Sequence, residues 1–327
     1  MNFRYFFART IRFILSLYIV ATIAFFILKL APGSPLTQFI NPYFTIKQVE
    51  ILKRQFGLDK PLYIQYFRYI VSISTLKFGR SCRYKQDVAG LIADRLPNTL
   101  LLVVPTLFMT YIVGVFWGMF AAWKRGSRFE HLSILVVLTG RAAPTFWVGM
   151  MAMAVLCFKL GWFPSGGMLS PGAQFHSFWS KMFSSDFLSH LVVPLVTYLF
   201  YLIGLPFLIM RNSMLENISK DFITMHRFCG LSKRKIISRA ARNSMLPVVT
   251  VIALGIGYIF EGAPLIETVF SWPGVGLLLV DAVTCRDYPL AQACFLIIAV
   301  SILFMNLLAD LLYSILDPRI SARRRFK

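Results

Sequence analysis

Apolar and polar positions alternate along this chain in long blocks. Six runs of about twenty largely apolar residues, at 11–31, 99–122, 132–157, 190–210, 247–266 and 290–315, are separated by polar stretches. As helix, about 20 residues cross the roughly 30 Å of a bilayer's hydrocarbon core, so each run predicts a membrane span. The first follows Arg4, Arg9 and Arg12 as a signal peptide would. It is too long for a signal h-region, however, and Lys29 with Pro32 spoils a cleavage site, so it reads as an uncleaved helix. Between the first two runs, "FTIKQVEILKRQFGLDKPL" puts Ile46, Val49, Leu52 and Phe56 at helical spacing before Gly57, and Pro61 opens a second helix. Two or three short helices are expected there, as a passive cap or as a docking surface. After the fifth run, "ETVFSWPGVGLLLVDAV" (267–283) is about half as long as a span, which predicts a re-entrant or interfacial helix buried in protein.

Composition agrees with the pattern. Hydrophobic residues are 57% of the 327 and charged ones 15%, with mean hydropathy +0.67, a balance that cannot cover a soluble surface. The net charge of +20 would suggest nucleic acid in a soluble protein. Here its distribution points to topology instead. With the N-terminus inside, the inner segments hold 19 Lys/Arg and the two short outer loops three, which places both termini in the cytoplasm. Ten more lie in the outer loop at about 32–97, too long for the rule to count. With no base-reading motif either, no nucleic-acid partner is expected. The five cysteines show no C-x-x-C spacing, and four scattered histidines make no metal cluster. Cys82 and Cys285 both fall outside, so inert thiols and a disulfide are the alternatives there. Gly114 with Gly118, and Ala253 with Gly257, have the four-residue spacing that lets helices approach closely.

No phosphate-binding loop, nucleophile elbow or H-E-x-x-H is present, so catalysis by this chain alone is not expected. One polar insert stands out: "DFITMHRFCGLSKRKIISRAARNSMLP", Asp221 to Pro247. Leu215, Ile218, Phe222, Met225 and Phe228 recur every three or four residues as one apolar helical stripe. Gly230 is placed to end that helix at positive φ, and Ser232 to begin the next. Three cations in the first turn of that second helix oppose its dipole. The segment reads as helix, glycine turn, helix on the inner face; the alternative is a basic loop held at anionic lipid.

These features resemble the permeases of ABC importers, close to the subfamily for peptides, dipeptides and nickel and to the first of its two paired permeases. The resemblance rests on "APGSP", "FGLDKPLYIQY", "FGRS", "DRLPNTLLL", "KRGS", "LGWFPSGG", "RNSMLE", "GLS", "RNSMLPVVTV", "ETVFSWPGVGLLLVDAV", "RDYPLAQ" and "NLLADLLYSILDPRI", in order over nearly the whole chain. It implies an all-α, six-helix type I importer fold in the bacterial inner membrane. The implied partners are a second, similar permease, two cytoplasmic ATPase subunits carrying ATP and Mg, and an outer solute-binding protein, with no cofactor in this chain. Asp221, Phe222, Met225, His226, Arg227, Phe228, Cys229, Gly230, Leu231 and Ser232 would form the contact with the ATPase, and Pro247 would begin span five directly after it. The implied division is 1–97 as first helix and outer loop, 98–316 as the core with its coupling loop at 211–246, and 317–327 as a basic tail.

Departures from the family pattern are specific. His226, Phe228 and Cys229 stand where smaller or basic residues are usual. Arg141 in span three and Glu261 in span five stand where uncharged residues are usual, and each alone is costly in a bilayer. Their depths differ by roughly 6 Å at 1.5 Å per residue, so they either pair or separately reach a hydrated pathway. If they line it, they would recognise the termini of zwitterionic peptides. Glu267, Asn306 and Asp310 match family positions and are expected to be structural. The function implied is movement of peptides by alternating access. The same architecture importing nickel or antimicrobial peptides is one alternative; a self-sufficient secondary transporter or channel is the other, against which stands the lack of internal repeats.

Overall fold

The computed structural model describes residues 3–30, 47, 50, 51, 54, 59–258 and 260–316; the side chains at 3–6, 8, 250, 253, 254, 256–258 and 310–316 lie outside the description. Every regular element among the described residues is helical, apart from one isolated bridge between Arg80 and Asp87. Four helices are long and apolar enough to cross a membrane, or five if one bent pair counts as a single span. The described residues fall into two compact units, one formed by those up to Thr99 with Pro273–Leu303, the other by Leu100–Trp272 with those from Phe304.

In the first unit, α1 (Phe3–Leu30) supplies the first span and α2 (Leu62–Ser74) packs on it. Pro61 precedes α2 as expected, since a proline's missing N–H costs nothing at a helix start. Phe25 of α1 meets Tyr66 and Tyr69 of α2, each with ring centroids 5.3 Å away. Lys29 donates to Gln65 Oε1 at 2.5 Å, which satisfies an ammonium that apolar neighbours would otherwise strand. The expected helix at 46–56 falls mostly outside the described residues.

The short apolar segment becomes α12 (Val275–Thr284). Leu278, Leu279 and Ala282 are buried against Val88, Leu91, Ile92, Leu290 and Ala291. Thr99 Oγ1 accepts from the Val275 N–H at 2.9 Å, and the Asn98 amide donates to the Pro273 carbonyl. Ten residues of helix reach only about 15 Å, so burial in protein is what makes the element tolerable.

Asp287, wholly buried, organises the turn at 81–85. It accepts from Ser81 Oγ at 2.5 Å and from the backbone N–H of Arg83 at 3.1 Å, and its other oxygen accepts from the Leu290 N–H. Cys82 and Cys285 are both free thiols. Burial pushes the Cys82 thiol up to about 12, with the adjacent Asp287 carboxylate adding to the effect.

The second unit holds most of α3 (Val88–Trp123), then α4 (Arg128–Ala142), α5 (Thr145–Ala152) and a π-helical turn Met153–Lys159. It continues with α6 (Phe178–Met182), α7 (Ser185–Leu202), α8 (Gly204–Ile218), α9 (Asp221–Phe228), α10 (Lys233–Tyr258) and α11 (Ala263–Val269). The last helix, α13 (Tyr288–Leu316), begins in the first unit. Gly114 and Gly118 of α3 pack on α8. A Cβ at Gly114 would stand 2.9 Å from Pro206 Cγ, and one at Gly118 would stand 2.5 Å from the Phe207 carbonyl oxygen.

Three sequence-based spans differ from the structure. The run 132–157 is broken: α4 and α5 meet at 107° around Ala143 and Pro144. Ala143 is extended (ψ 139°), as a residue before proline prefers, and that ends α4. The run 190–210 divides at Ile203 into α7 and α8. The run 247–266 does not start at Pro247, because α10 passes through that residue from Lys233, and it ends at Tyr258. Pro247 removes one N–H donor within α10, which the helix tolerates without breaking.

Two outcomes follow. Gly118→Val should cost about 1–3 kcal/mol through forced separation of α3 and α8, while Gly90→Ala, with open space around it, should be neutral; thermal midpoints of the detergent-purified chain decide this. At pH 8, maleimide should alkylate exposed Cys229 roughly 100-fold or more faster than Cys82, whose thiolate is scarce; peptide mass mapping over a time course measures it.

Candidate functional site: the α8–α9–α10 segment

The polar insert does not form one continuous stripe with the residues before it. Leu215 and Ile218 belong to α8, which stops at Ile218; Lys220 is extended (φ −80°, ψ 150°) and α9 restarts at Asp221. The break lets the two helices face differently. Asp221 opens α9 and His226 and Arg227 close it, the order that suits the helix dipole.

Its end is built as the sequence suggests. Gly230 sits at φ +73°, and its N–H donates to the Arg227 carbonyl at 3.0 Å while the Leu231 N–H donates to the His226 carbonyl at 3.2 Å. This pair of bonds is the Schellman closure, which needs a residue at ease in the left-handed region. Ser232 then supplies the first carbonyl of α10, accepting from the Ile236 N–H at 3.1 Å.

Burial sorts the side chains of α9. Ile223 is fully buried, among Met210, Met214, Ile236, Ala240 and Val248, and Phe222 and Leu231 pack half-buried beside this cluster. Met225 is 67% exposed and Phe228 87%. Asp221, Arg227, Cys229, Gly230 and Ser232 are also exposed. Ile223 was not singled out by the three-and-four spacing, which started from α8 and so carried the wrong phase across the break.

His226 joins the helices. Its ring lies edge-on to Phe222, centroids 5.8 Å apart, and its Nε2 accepts from the Arg239 guanidinium at 2.6 Å. The departure at this position is therefore anchored to α10. Lys233, Arg234 and Lys235 stay exposed at the start of α10. The resulting surface combines two large apolar side chains and a cationic rim beside a glycine turn. It has no nucleophile–base arrangement, and among the described residues no group of His, Cys, Asp and Glu is placed to hold a metal.

Two buried polar joints were missed by the sequence reading. The first links α8 to α4. Glu130, 4% exposed in its side chain, accepts from Arg211 Nε at 2.9 Å and from its terminal nitrogen at 2.5 Å, and its second oxygen accepts from the Gly126 N–H at 2.6 Å. Ser127 caps α4 by accepting from the Glu130 N–H. The Ser-x-x-Glu spacing was a legible capping signal, but the role of Arg211 was not. The second joint links α8 to α10, where the Asn217 amide donates to Ser244 Oγ at 2.9 Å, both residues being buried.

The two unusual charges are not brought together: no ion pair among the described residues joins Arg141 and Glu261. Arg141 occupies the last turn of α4, where the helix dipole favours a cation, and its stem lies along Gly204 of α8. Glu261 is exposed in the turn between α10 and α11. Glu267 is fully buried in α11 and its carbonyl accepts from the Trp272 N–H at 2.8 Å. Asn306 is exposed on α13, and the side chain of Asp310 lies outside the description.

Residues 114–322 match the model of the family described as binding-protein-dependent transport system inner membrane component. Residues 2–103 match the N-terminal model of the same membrane components. The chain belongs to this family. It is therefore a multi-pass inner membrane component of a transport system. A Brucella suis protein named as a peptide permease is 37% identical over 300 residues, covering 90% of this chain and 92% of its own. The oligopeptide transport system permease protein AppB of Bacillus subtilis is 34% identical over 319 residues, with 97% and 98% covered. The dipeptide transport system permease protein DppB of Alkalihalophilus pseudofirmus is 31% identical over 316 residues, with 91% and 93% covered.

Replacing the glycine tests the turn of this permease. Gly230→Ala should cost about 1–2 kcal/mol, the penalty of a Cβ in the left-handed region, although space around it is open. Limited proteolysis at the 227–233 turn should accelerate while the remaining fragments keep their pattern.

Proposed function

We propose that the chain is the first permease subunit of an ATP-driven importer for peptides, with α9 as the helix that receives the movement of an ATPase subunit. The observation that carries this is the exposure of Met225 and Phe228 on a short helix whose opposite side is anchored by Ile223. Two such apolar side chains at the end of a membrane protein, ringed by cations, call for a protein partner. The relatives named for peptides, oligopeptides and dipeptides support the substrate class.

In this reading six segments cross the membrane, with the bent α4–α5 pair as one crossing and α10 as another, and both termini are cytoplasmic. The 19-to-three bias in Lys/Arg supports that orientation. A second, similar permease completes the pathway, two ATPase subunits bind and hydrolyse ATP, and a solute-binding protein delivers peptide from outside. Closure of the ATPase pair pushes on α9. Because α10 runs without interruption from Lys233 through Pro247 to Tyr258, the push enters the membrane along one helix axis. Alternating access then follows from two arrangements of the paired permeases, biased by nucleotide on one side and loaded binding protein on the other. Arg141 and Glu261, both exposed in the single chain, are assigned to the pathway, where they would meet the carboxylate and ammonium termini of a peptide.

The test is retention of the ATPase. Phe228→Asp should reduce ATPase subunits co-purifying with the permease pair by about tenfold or more, the effect of burying an unpaired charge in an interface hot spot. The second permease should still co-purify. Undiminished ATPase recovery with Phe228→Asp and with Met225→Asp would remove α9 as the contact.

A further inference from the structure

The Glu130–Arg211 pair lies outside every role assigned above. Its burial is unusual, because a carboxylate removed from water is costly unless its oxygens are satisfied. Both are satisfied here, one by two guanidinium nitrogens and the other by the Gly126 N–H. The three groups come from three places in the chain. Gly126, at φ +76°, lies in the turn that ends α3; Glu130 is in the first turn of α4; Arg211 is midway along α8.

The helices beside the pair are closely packed. Gly118 of α3 lies against α8 at Phe207 and Arg211, while Trp117 donates to Ser133 of α4 at 2.9 Å and meets Phe207 at 5.3 Å. Apolar contacts alone permit sliding by small steps, since one ridge can settle in the next groove. Two guanidinium nitrogens on one carboxylate oxygen, with the other oxygen held by the Gly126 N–H, fix both position and direction. Two turns further along, α8 ends at the break before α9 and carries the Asn217–Ser244 bond to α10.

We infer that Glu130 and Arg211 are positioning residues that make the α3–α4 turn and α8 one rigid body, so that displacement of α9 is delivered to α4 as well as to α10. The inference rests on the reading of α9 as the ATPase contact. In that reading α10 receives the displacement through the glycine turn, and α4, which leads into the 107° bend and carries Arg141, receives it through the ion pair. Without the pair, α8 slips against α4, and only one of the two routes moves.

The experiment uses the assembled transporter, with Cys82, Cys229 and Cys285 replaced by serine and nitroxides placed by Arg128→Cys and Ser219→Cys, both exposed positions. Their separation is measured by electron spin echo before and after trapping with MgATP and vanadate. With the pair intact the distance should hold on trapping. With Glu130→Gln it should shift or broaden by about 2 Å or more, the scale of helix shifts in switching proteins. Glu130→Leu with Arg211→Met replaces the pair, Glu130 buried and Arg211 part-exposed, by apolar volume, which commonly preserves stability; it should still assemble and should show the same loss of registry. Glu130→Asp should keep the distance fixed. A change on trapping in the intact protein, or none in either disrupted variant, overturns the inference. Trapping is scored separately on the transporter with its native cysteines, and the labelled background is used only if it traps equally; nucleotide released on washing from the native-cysteine transporter overturns the ATPase reading and this inference together.

Discussion

The seam between α8 and α10 is the contact on which the exposed apolar face of α9 depends. Met210, Met214, Ile236, Ala240 and Val248 close it, and Ile223 is driven into it from α9. Eight residues of helix are too few to be stable alone in water, so α9 exists because one isoleucine is taken out of solvent. That burial is worth roughly 2–3 kcal/mol, and it fixes which way the rest of α9 points. Met225 and Phe228 face outward as a consequence, and the Schellman turn at Gly230 then returns the chain to α10.

Polar groups act where apolar packing leaves a choice. Asp287 in the first unit and Glu130 in the second are both buried carboxylates held by neighbours distant in sequence, and each fixes a turn against a helix. A wholly apolar contact would be comparably stable in either place. What the carboxylates add is direction, since their bonds break if a helix slides by a residue.

Several features were legible from residue type alone. Gly230 followed by Leu-Ser announced a helix end with a left-handed residue, and the structure has one. Pro61 announced the start of α2, and the shortness of the run after Gly276 announced that it would be buried. Each of these is a local rule that depends on neighbours in sequence. The same rules failed at Ala143–Pro144, where twenty-odd apolar residues looked continuous though proline disfavours helix in the residue before it, a preference that takes effect at Ala143 and is overridden before Pro247. They failed again at Ser219–Lys220, because no proline or glycine marks that break and the apolar spacing happened to run on across it.

The sequence by itself determined that this is a membrane chain and which family it resembles, because both are written in composition, spacing and ordered motifs. It also determined where α9 would end. Only the tertiary structure decided that Ile223 is the anchor, that Arg141 lies at the end of a broken helix, and that Arg211 serves Glu130. These outcomes turn on which surfaces meet. A side chain's partner 81 positions away is set by packing of whole helices, and no local rule of spacing or propensity reaches that far.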